Sequence, residues 1–192
     1  MLPLFLALRG RRVVVVGAGP VAASKLDALM TAGAVVTVIA PEVRPEIEHY
    51  AVTIVRRAFA DSDLEGAWLV VAAAPPDVNR QVGLAAEARR VFVNAVDDPA
   101  HATAYMGSIV RRDGVTVAIS TDGRAPALAG LLREALDNWL PAELEKWMTA
   151  ADGARREWRE QGVPMERRRP LLLDRLNKLY EDRPVPSGPE KH

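Results

Sequence analysis

The sequence has no cysteine, no excess of either charge and no long hydrophobic run. Without cysteine the chain has no disulfide framework, no thiolate metal site and no cysteine nucleophile. Lys+Arg and Asp+Glu each number 25, so the formal net charge is +0. We therefore expect no nucleic acid partner, because binding to phosphates requires a basic surface. No apolar run approaches the roughly 20 residues that cross a bilayer, so we expect no membrane span either.

The N-terminus does not have the pattern of a secretory signal. The apolar stretch in MLPLFLALRGRR is short, and its positive charges follow it instead of preceding it. We therefore expect a cytoplasmic protein. The composition, 49% hydrophobic and 26% charged over 192 residues, is typical of a soluble globular chain and excludes an intrinsically disordered one. The length allows one domain, or one medium domain with a small satellite.

Apolar β-branched runs alternate with helical patterns over the first hundred residues. This alternation predicts an α/β domain with a parallel sheet, and the strand–glycine turn–helix–strand opening is typical of a doubly wound fold. The continuous run Val13 to Val16 indicates a strand that is buried on both faces. The expected strands are residues 13–16, 35–39, 52–55, 68–73 and 91–96, and the expected helices are residues 21–32 and 78–89.

The pattern changes after about residue 108. Asp113-Gly114 lies between two apolar runs, at residues 108–112 and 115–120, and predicts an antiparallel hairpin. Pro126 is placed to open a helix, and the helical pattern then continues to about residue 180. We expect breaks in it at Pro141, residues 162–164 and Pro170.

Residues 17–22 carry a GxGxxA pattern between the first predicted strand and the first predicted helix. Gly17 permits the tight turn, Gly19 lets a pyrophosphate approach the backbone, and the small Ala22 lets the helix pack on the strand. The helix N-terminus adds free N–H groups and the positive end of its dipole. The pattern in this context predicts dinucleotide binding. The alternative is a tight strand–helix turn without a ligand.

One element of that fingerprint is missing. An acidic residue usually ends the second strand and binds the ribose hydroxyls, but Ala40 and Pro41 stand there, with Glu42 just beyond. No arginine stands directly at that place to meet a 2′-phosphate, and Arg44 is the nearest. The sequence therefore favours NAD over NADP, with backbone groups of Pro41 and Glu42 placed to contact the adenosine.

Two aspartates follow the fifth predicted strand, at the sheet edge where ligands bind in open α/β folds. A carboxylate there can take a proton or hold a substrate N–H, but it can equally form a turn before Pro99. Position alone does not decide between these roles. Asp98 is the better turn residue and Asp97 the better functional candidate. His101 is close enough along the chain to reach the same site, with an ordinary surface histidine as the alternative.

The other candidates have plainer explanations. The three histidines, His49, His101 and His192, lack metal-ligand spacing, so we expect no protein metal site. The arginines at 155, 156, 159 and 167–169 alternate with glutamates, which indicates a solvated face or a surface for a polyanion. Trp139, Trp147 and Trp158 are expected to pack in a core or an interface.

Three segments together resemble the dehydrogenase/chelatase module of the siroheme synthase family. They are residues 11–22 (RRVVVVGAGPVA), residues 93–99 (VNAVDDP) and residues 118–129 (AISTDGRAPALA). They occur in the family's order and at its spacing, and the resemblance covers about residues 1–150. It implies a Rossmann domain at 1–112, a dimerisation segment at 113–146 and a C-terminal helical domain at 147–183, assembled as a homodimer. Residues 184–192 are expected to form a disordered tail.

The resemblance also implies an activity and its residues. Family members oxidise precorrin-2 to sirohydrochlorin with NAD⁺, and some insert ferrous iron, with cobaltous ion as a possible second substrate. Asp97 stands at the position of the family's catalytic aspartate. The residues matching NAD contacts are Gly17, Gly19, Pro20, Val21, Pro41 and Glu42, and the substrate candidates are Asn94, His101, Thr121 and Arg124. The sequence leaves iron insertion undecided, and a non-catalytic NAD-sensing module is the alternative function.

The chain departs from the family pattern in three ways. Gly107 stands where the family has proline. Thr121 replaces a serine that is phosphorylated in some members, which puts that regulation in doubt. The chain is too short to include the methyltransferase module that some members carry, so we expect a stand-alone form.

Overall fold

The structure is a computed structural model that describes residues 1–96, 98 and 100–181. The chain divides into two compact units. The first contains Met1–Gly107 with Ser120–Pro126, and the second contains Ser108–Ile119 with the chain from Ala127 onward. In residues 1–96, 98 and 100–181, no helix has both the length and the apolar character needed to cross a membrane. The predicted tail, residues 184–192, lies outside the described residues.

The first unit is built on a five-stranded parallel sheet with the order β3-β2-β1-β4-β5. Val14 of the central strand pairs with Thr37 on one side and Val70 on the other. The strands are β1 (Arg12–Val16), β2 (Val35–Ile39), β3 (Thr53–Val55), β4 (Leu69–Ala72) and β5 (Phe92–Ala95), and the helices are α1 (Pro20–Thr31) and α2 (Pro76–Arg89). Two short 3₁₀ segments, Pro45–His49 and Asp61–Leu64, were not predicted. The predicted α/β class is confirmed.

The core lies on both faces of this sheet. Val13 and Val15 of β1 pack into a cluster with Leu26 and Leu29 of α1. Their neighbours Val14 and Val16 belong to a separate cluster that contains Val82, Ala85 and Ala86 of α2. Since successive side chains of a strand point to opposite faces, the four valines fill two cores. This arrangement explains why the first strand is apolar at every position instead of at alternate ones.

Both helices of the first unit begin earlier than predicted. Helix α1 starts at Pro20, with Gly19 at its N-cap. Helix α2 starts at Pro76, with Pro75 at its N-cap and Asp77 in its first turn. In both cases a proline occupies the first position of the helix. Proline fits there because a backbone N–H at this position would have no partner within the helix, and because the φ of proline is already helical.

The second unit contains a hairpin and three helices. Strands β6 (Ser108–Arg112) and β7 (Val115–Ile119) are antiparallel, and Asp113 and Gly114 both have positive φ, as the two-residue turn requires. The helices are α3 (Pro126–Trp139), α4 (Leu144–Glu160) and α5 (Met165–Glu181). Arg112 joins the hairpin to α3, because its guanidinium donates to Asp137 Oδ1 at 2.7 Å and to the carbonyl of Leu140 at 3.0 Å.

Pro170 does not break the helix, contrary to the prediction. It lies inside α5, five residues after Met165. Proline removes the N–H that would reach the carbonyl of Glu166. Glu166 and Pro170 are both exposed, so that carbonyl is open to water near the start of the helix. The predicted interruption at residues 162–164 does separate α4 from α5.

Candidate dinucleotide site

The carboxyl ends of the central strands enclose a cleft of about 640 Å³ in the first unit. It opens where the strand order reverses between β1 and β4, the position at which doubly wound sheets bind ligands. Most of its walls are apolar or backbone. The lining residues are Val16, Gly17, Ala18, Gly19, Ile39, Ala40, Pro41, Glu42, Ala58, Phe59, Ala73, Ala74, Pro75 and Val78.

The glycine turn forms the floor of this cleft. Gly17 has a φ of +102°, and a Cβ built on it would lie 2.2 Å from the carbonyl oxygen of Ala73. Its N–H donates to the carbonyl of Ile39 at 2.9 Å, so the turn is held between the ends of β2 and β4. Only glycine fits at this position, for both its backbone angle and its neighbours.

Gly19 has a different environment from Gly17. A Cβ built on Gly19 would meet no atom within 4 Å. Within the described chain no side chain caps α1, and the first turn of the helix carries no acidic residue. Pro20 has no N–H, and the N–H of Ala23 donates to the carbonyl of Gly19 at 3.1 Å. The N–H groups of Val21 and Ala22 have no side-chain cap and lie at the positive end of the helix dipole, which fits a pyrophosphate. These residues suit the dinucleotide that the sequence predicts.

The end of β2 supplies the wall opposite the glycine turn. Pro41 and Glu42 line the cleft and are exposed. Arg44, the nearest arginine along the chain, forms an exposed ion pair between its Nε and Glu46 at 2.6 Å.

A short loop beyond β3 completes the cleft, and a bidentate ion pair holds it. Arg57 donates to both carboxylate oxygens of Asp63, at 2.6 and 2.8 Å, and the N–H of Ala60 donates to the same carboxylate at 2.8 Å. The hydrogen bonds from Arg57 lower the pKa of Asp63, and burial opposes them only in part. The loop between the two residues presents Ala58 and Phe59 to the cleft. Sequence reasoning missed this pair, because residues six apart in an irregular segment leave no periodic signal.

A second cavity of about 300 Å³ lies beside the cleft, and Ala73 and Ala74 line both. Its remaining walls come from the starts of α1 and α2 and from the end of β5. Asn79 is buried, and its side-chain oxygen accepts the N–H of Ala74 at 3.0 Å. The lining residues are Val21, Ala73, Ala74, Pro76, Asn79, Val96 and Asp98.

The predicted cofactor residues therefore divide between two places. Gly17, Gly19, Pro41 and Glu42 lie together around the larger cleft. Val21 lines the second cavity. Pro20 is exposed at the start of α1, next to both.

Among the described residues, hydrogen bonds do not link the predicted substrate residues into one cluster. Asn94 is buried, and its amide donates to the carbonyl of Ala104 at 3.0 Å. His101 is hydrogen-bonded to Asp98, and the distance between His101 Nδ1 and Asp98 Oδ2 is 2.8 Å. Thr121 Oγ1 accepts the N–H of Ala125 at 3.2 Å, and Arg124 is exposed in the same turn. The predicted catalytic residue, Asp97, lies outside the described residues.

No metal centre is visible in the described part of the chain. Across residues 1–96, 98 and 100–181, no group of three or more His, Asp or Glu side chains is arranged to hold an ion.

Known proteins match this chain along most of its length. Residues 4–108 match the NAD(P)-binding family NAD_binding_7. A siroheme synthase from Citrobacter koseri is 42% identical over 173 residues, which cover 88% of this chain and 38% of that protein. Siroheme synthase 1 from Aeromonas hydrophila is 40% identical over 180 residues, covering 91% of this chain and 38% of that protein. This chain thus spans less than half the length of these relatives.

A solved structure extends the match to both units. The structure of SirC, described as a precorrin-2 dehydrogenase, is 25% identical and superposes with a TM-score of 0.72. The match covers 94% of this chain and 92% of that one. The predicted resemblance and the predicted dinucleotide fold are therefore confirmed. The chain belongs to the NAD(P)-binding family and, within it, to the family of the siroheme synthase N-terminal module.

Proposed function

We propose that this protein oxidises precorrin-2 to sirohydrochlorin, with NAD⁺ as the hydride acceptor. The observation that supports this most strongly is the similarity to SirC, since it extends over nearly the full length of both chains. The similarity to proteins named as siroheme synthases supports the same proposal.

The first unit provides the cofactor site in this proposal. Gly19 and the first turn of α1 hold the pyrophosphate, because that helix end is open and lacks a side-chain cap. Pro41 and Glu42 contact the adenosine at the end of β2. NAD is favoured over NADP because no arginine stands directly at the end of β2 to meet a 2′-phosphate, and Arg44, the nearest arginine along the chain, is paired through Nε with Glu46.

The protein's remaining task is to place the tetrapyrrole and manage its protons. When bound, the nicotinamide supplies the hydride acceptor. Asp97 acts on the substrate, either as a general base or by orienting a pyrrole N–H. The substrate carries many carboxylates, which suit arginine side chains. Arg124, Arg155 and Arg156 are exposed and are candidates for that role, with Asn94, His101 and Thr121 as further substrate residues.

Iron insertion is a second proposed activity of the same chain. Ferrous or cobaltous ion is then a substrate, and Asp97 accepts the pyrrole protons as the metal enters the ring. This role requires no resident metal centre.

We propose a homodimer that acts in the cytoplasm. Helix α3 leaves several large apolar side chains exposed, and Trp139 keeps 78% of its surface accessible. A contiguous apolar helix face of this kind marks an association surface. The exposed apolar residues of α3 are Leu128, Leu131, Leu132 and Trp139. Light scattering should give a mass of about twice 20.9 kDa, and a particle of 20.9 kDa would contradict the dimer.

An anaerobic assay tests the activity directly. Enzymatically generated precorrin-2 and NAD⁺ are mixed with the protein, and NADH and the sirohydrochlorin spectrum are followed together. Ferrous or cobaltous ion is added afterwards. NADH formation followed by metal insertion faster than the protein-free blank supports both activities, and NADH formation alone supports the dehydrogenase only.

The Asp97→Ala variant separates an enzyme from a nucleotide sensor. The enzyme should lose turnover and keep NADH binding. If the wild-type protein binds NADH but forms none from authentic precorrin-2, the dehydrogenase proposal fails and a nucleotide-sensing module replaces it.

A further inference from the structure

Asp98 lies in the wall of the second cavity, and His101 holds its carboxylate. The distance between His101 Nδ1 and Asp98 Oδ2 is 2.8 Å, with 25% of the aspartate side chain and 31% of the histidine side chain exposed. The carboxylate can only accept, so Nδ1 is the protonated nitrogen of this pair. The ring thus engages Oδ2, and Oδ1 is not part of this pair.

His101 is itself fixed by the elements around it. A Cβ built on Gly83 of α2 would lie 2.9 Å from the Cβ of His101, so the two backbones approach closely at this point. Two residues later, Thr103 is bonded to the edge strand: its N–H donates to the carbonyl of Val93 at 2.9 Å, and its Oγ1 accepts the N–H of Val93 at 2.9 Å. His101 also lines a further cavity, together with Glu87 and Arg90.

The second cavity lies on the side of the proposed cofactor site where the nicotinamide half of the dinucleotide belongs. The larger cleft extends from the shared residues Ala73 and Ala74 toward the ends of β1 and β2, where the adenosine half belongs. The second cavity extends from the same residues toward the end of β5 and the start of α2. A dinucleotide that lies across the switch point therefore directs its other half toward the cavity that contains Asp98.

Among the described residues that line that cavity, Asp98 is the charged one. Val21, Ala73, Ala74, Pro76 and Val96 are apolar. Asn79, which also lines it, already uses its side-chain oxygen on the N–H of Ala74. A hydrogen-bond donor entering this space can meet the carboxylate of Asp98 beside these apolar side chains, where such a bond is stronger than in water.

We propose that Asp98 binds the tetrapyrrole by accepting a hydrogen bond from a pyrrole N–H, and that His101 is its positioning residue. With Asp98 orienting the pyrrole N–H, the general-base role of the proposed function remains for Asp97. The inference rests on the proposed function, because it takes the ring as the ligand of the second cavity. Sequence reasoning assigned Asp98 to a turn. The pairing with His101 is consistent with a turn, and it also leaves the carboxylate in a cavity wall.

The test uses the full chain and two matched substitutions at one position. His101→Leu removes the donor while keeping a similar volume, and His101→Asn keeps an amide N–H close to the place of Nδ1. We expect the leucine variant to raise the KM for precorrin-2 by about tenfold with kcat changed by less than about threefold, and we expect the asparagine variant to restore most of the wild-type KM. Asp98→Ala should raise the same KM at least as much.

A binding measurement gives a readout that does not depend on turnover. Fluorescence titration with the product sirohydrochlorin should show the same order of affinities, wild type and His101→Asn above His101→Leu and Asp98→Ala. The Kd for NADH should stay within about twofold in all four proteins, because the proposal gives the carboxylate of Asp98 to the ring. A rise in that Kd that matches the loss of sirohydrochlorin affinity would assign Asp98 to the nicotinamide half of the cofactor and overturn the inference. Melting curves identify any variant that has failed to fold.

The outcomes separate this inference from the function on which it rests. If wild-type protein neither oxidises precorrin-2 nor binds sirohydrochlorin, the proposed function fails. If wild-type protein does both and the Asp98→Ala and His101→Leu variants retain the wild-type KM and sirohydrochlorin affinity, the role of Asp98 is wrong. Equal loss in the leucine and asparagine variants would likewise overturn the positioning role of His101.

Discussion

Gly17 and Ala73 approach so closely that a Cβ on Gly17 would lie 2.2 Å from the carbonyl oxygen of Ala73 and 2.6 Å from its carbonyl carbon. The first glycine of the dinucleotide turn is thus in contact with the residue that follows β4, 56 positions later in the chain. The N–H of Ala73 also donates to the carbonyl of Val16 at 2.8 Å. The same residue lines both cavities, so the turn and the two sites share one piece of backbone.

Alanine at Gly17 should disrupt folding, because the obstructing atoms are backbone and φ is +102°. We expect Gly17→Ala to destabilise the protein by about 3 kcal/mol or more. Thermal or urea unfolding measures this loss. A variant as stable as the wild type would contradict the close approach.

Gly19→Ala is the matched control, since its Cβ would meet no protein atom. We expect a loss of only about 1 kcal/mol, because alanine is a poorer N-cap than glycine. The Kd for NADH should nevertheless rise at least about tenfold, since the new methyl group occupies the space that a pyrophosphate needs. Unchanged NADH affinity would mean that the dinucleotide does not pass over Gly19.

The pair of Arg57 and Asp63 should make the free energy of unfolding depend on pH in the acid range. The hydrogen bonds from Arg57 lower the pKa of Asp63 from its ordinary value of 3.8. A carboxyl whose pKa is lower in the folded state stabilises the fold above its unfolded pKa, and this contribution disappears as the pH falls through the folded pKa. We expect Asp63→Asn to be less stable than the wild type by about 1 kcal/mol at pH 7 and to converge with it below pH 3.8.

Urea unfolding of both proteins from pH 7 down to about pH 2 measures this convergence. Glu46→Gln is the control, because Glu46 also pairs with an arginine and its pKa is also lowered, but it lies on an exposed surface. We expect the control to have little effect at pH 7. A constant gap between Asp63→Asn and the wild type at every pH would contradict the role of the charge.

Gly83 and Gly153 should respond in opposite directions to the same substitution. Alanine usually stabilises a helix interior relative to glycine by about 1 kcal/mol. At Gly153 of α4 the added Cβ meets no atom within 4 Å, so we expect that gain. At Gly83 of α2 it would lie 2.9 Å from the Cβ of His101, so we expect a loss of about 1–2 kcal/mol. Melting temperatures of the two variants decide the matter, and a stabilised Gly83→Ala would show that His101 is not packed as described.

Replacing Arg90 with glycine should stabilise the protein. Arg90 ends α2 with a φ of +58°, a left-handed conformation that an L side chain adopts at a cost. We expect Arg90→Gly to stabilise the protein by about 0.5–1 kcal/mol. Arg89→Gly, one residue earlier and still inside the helix, should destabilise it by about 1 kcal/mol. Equal effects in denaturant unfolding would contradict the left-handed cap.

Local patterns in the sequence predict much of the first unit. The valine run of β1 indicates a strand buried on both faces, and the structure places alternate valines in two separate clusters. The glycine turn is predictable because its requirements, a positive φ and a missing Cβ, belong to single residues. The hairpin at Asp113-Gly114 is predictable for the same reason.

Errors occur where a local rule is overridden by its surroundings. Pro170 ordinarily ends a helix, yet α5 continues through it, with the affected carbonyl close to an exposed helix start. The ion pair of Arg57 and Asp63 depends on the conformation of an irregular loop, which no periodic pattern encodes.

By itself, the sequence determines the α/β class, the position of the dinucleotide turn and the family, because each depends on residues that are close together in the chain. Only the tertiary structure decides how the space at the carboxyl ends of the strands is divided into two cavities. It brings Ala73 against Gly17, separates Val21 from Pro41, and places Asp98 beside His101 in the wall of a second cavity. These relationships depend on parallel strands that end at the same edge of one sheet, and on side chains whose directions are fixed by packing against α2 and β5.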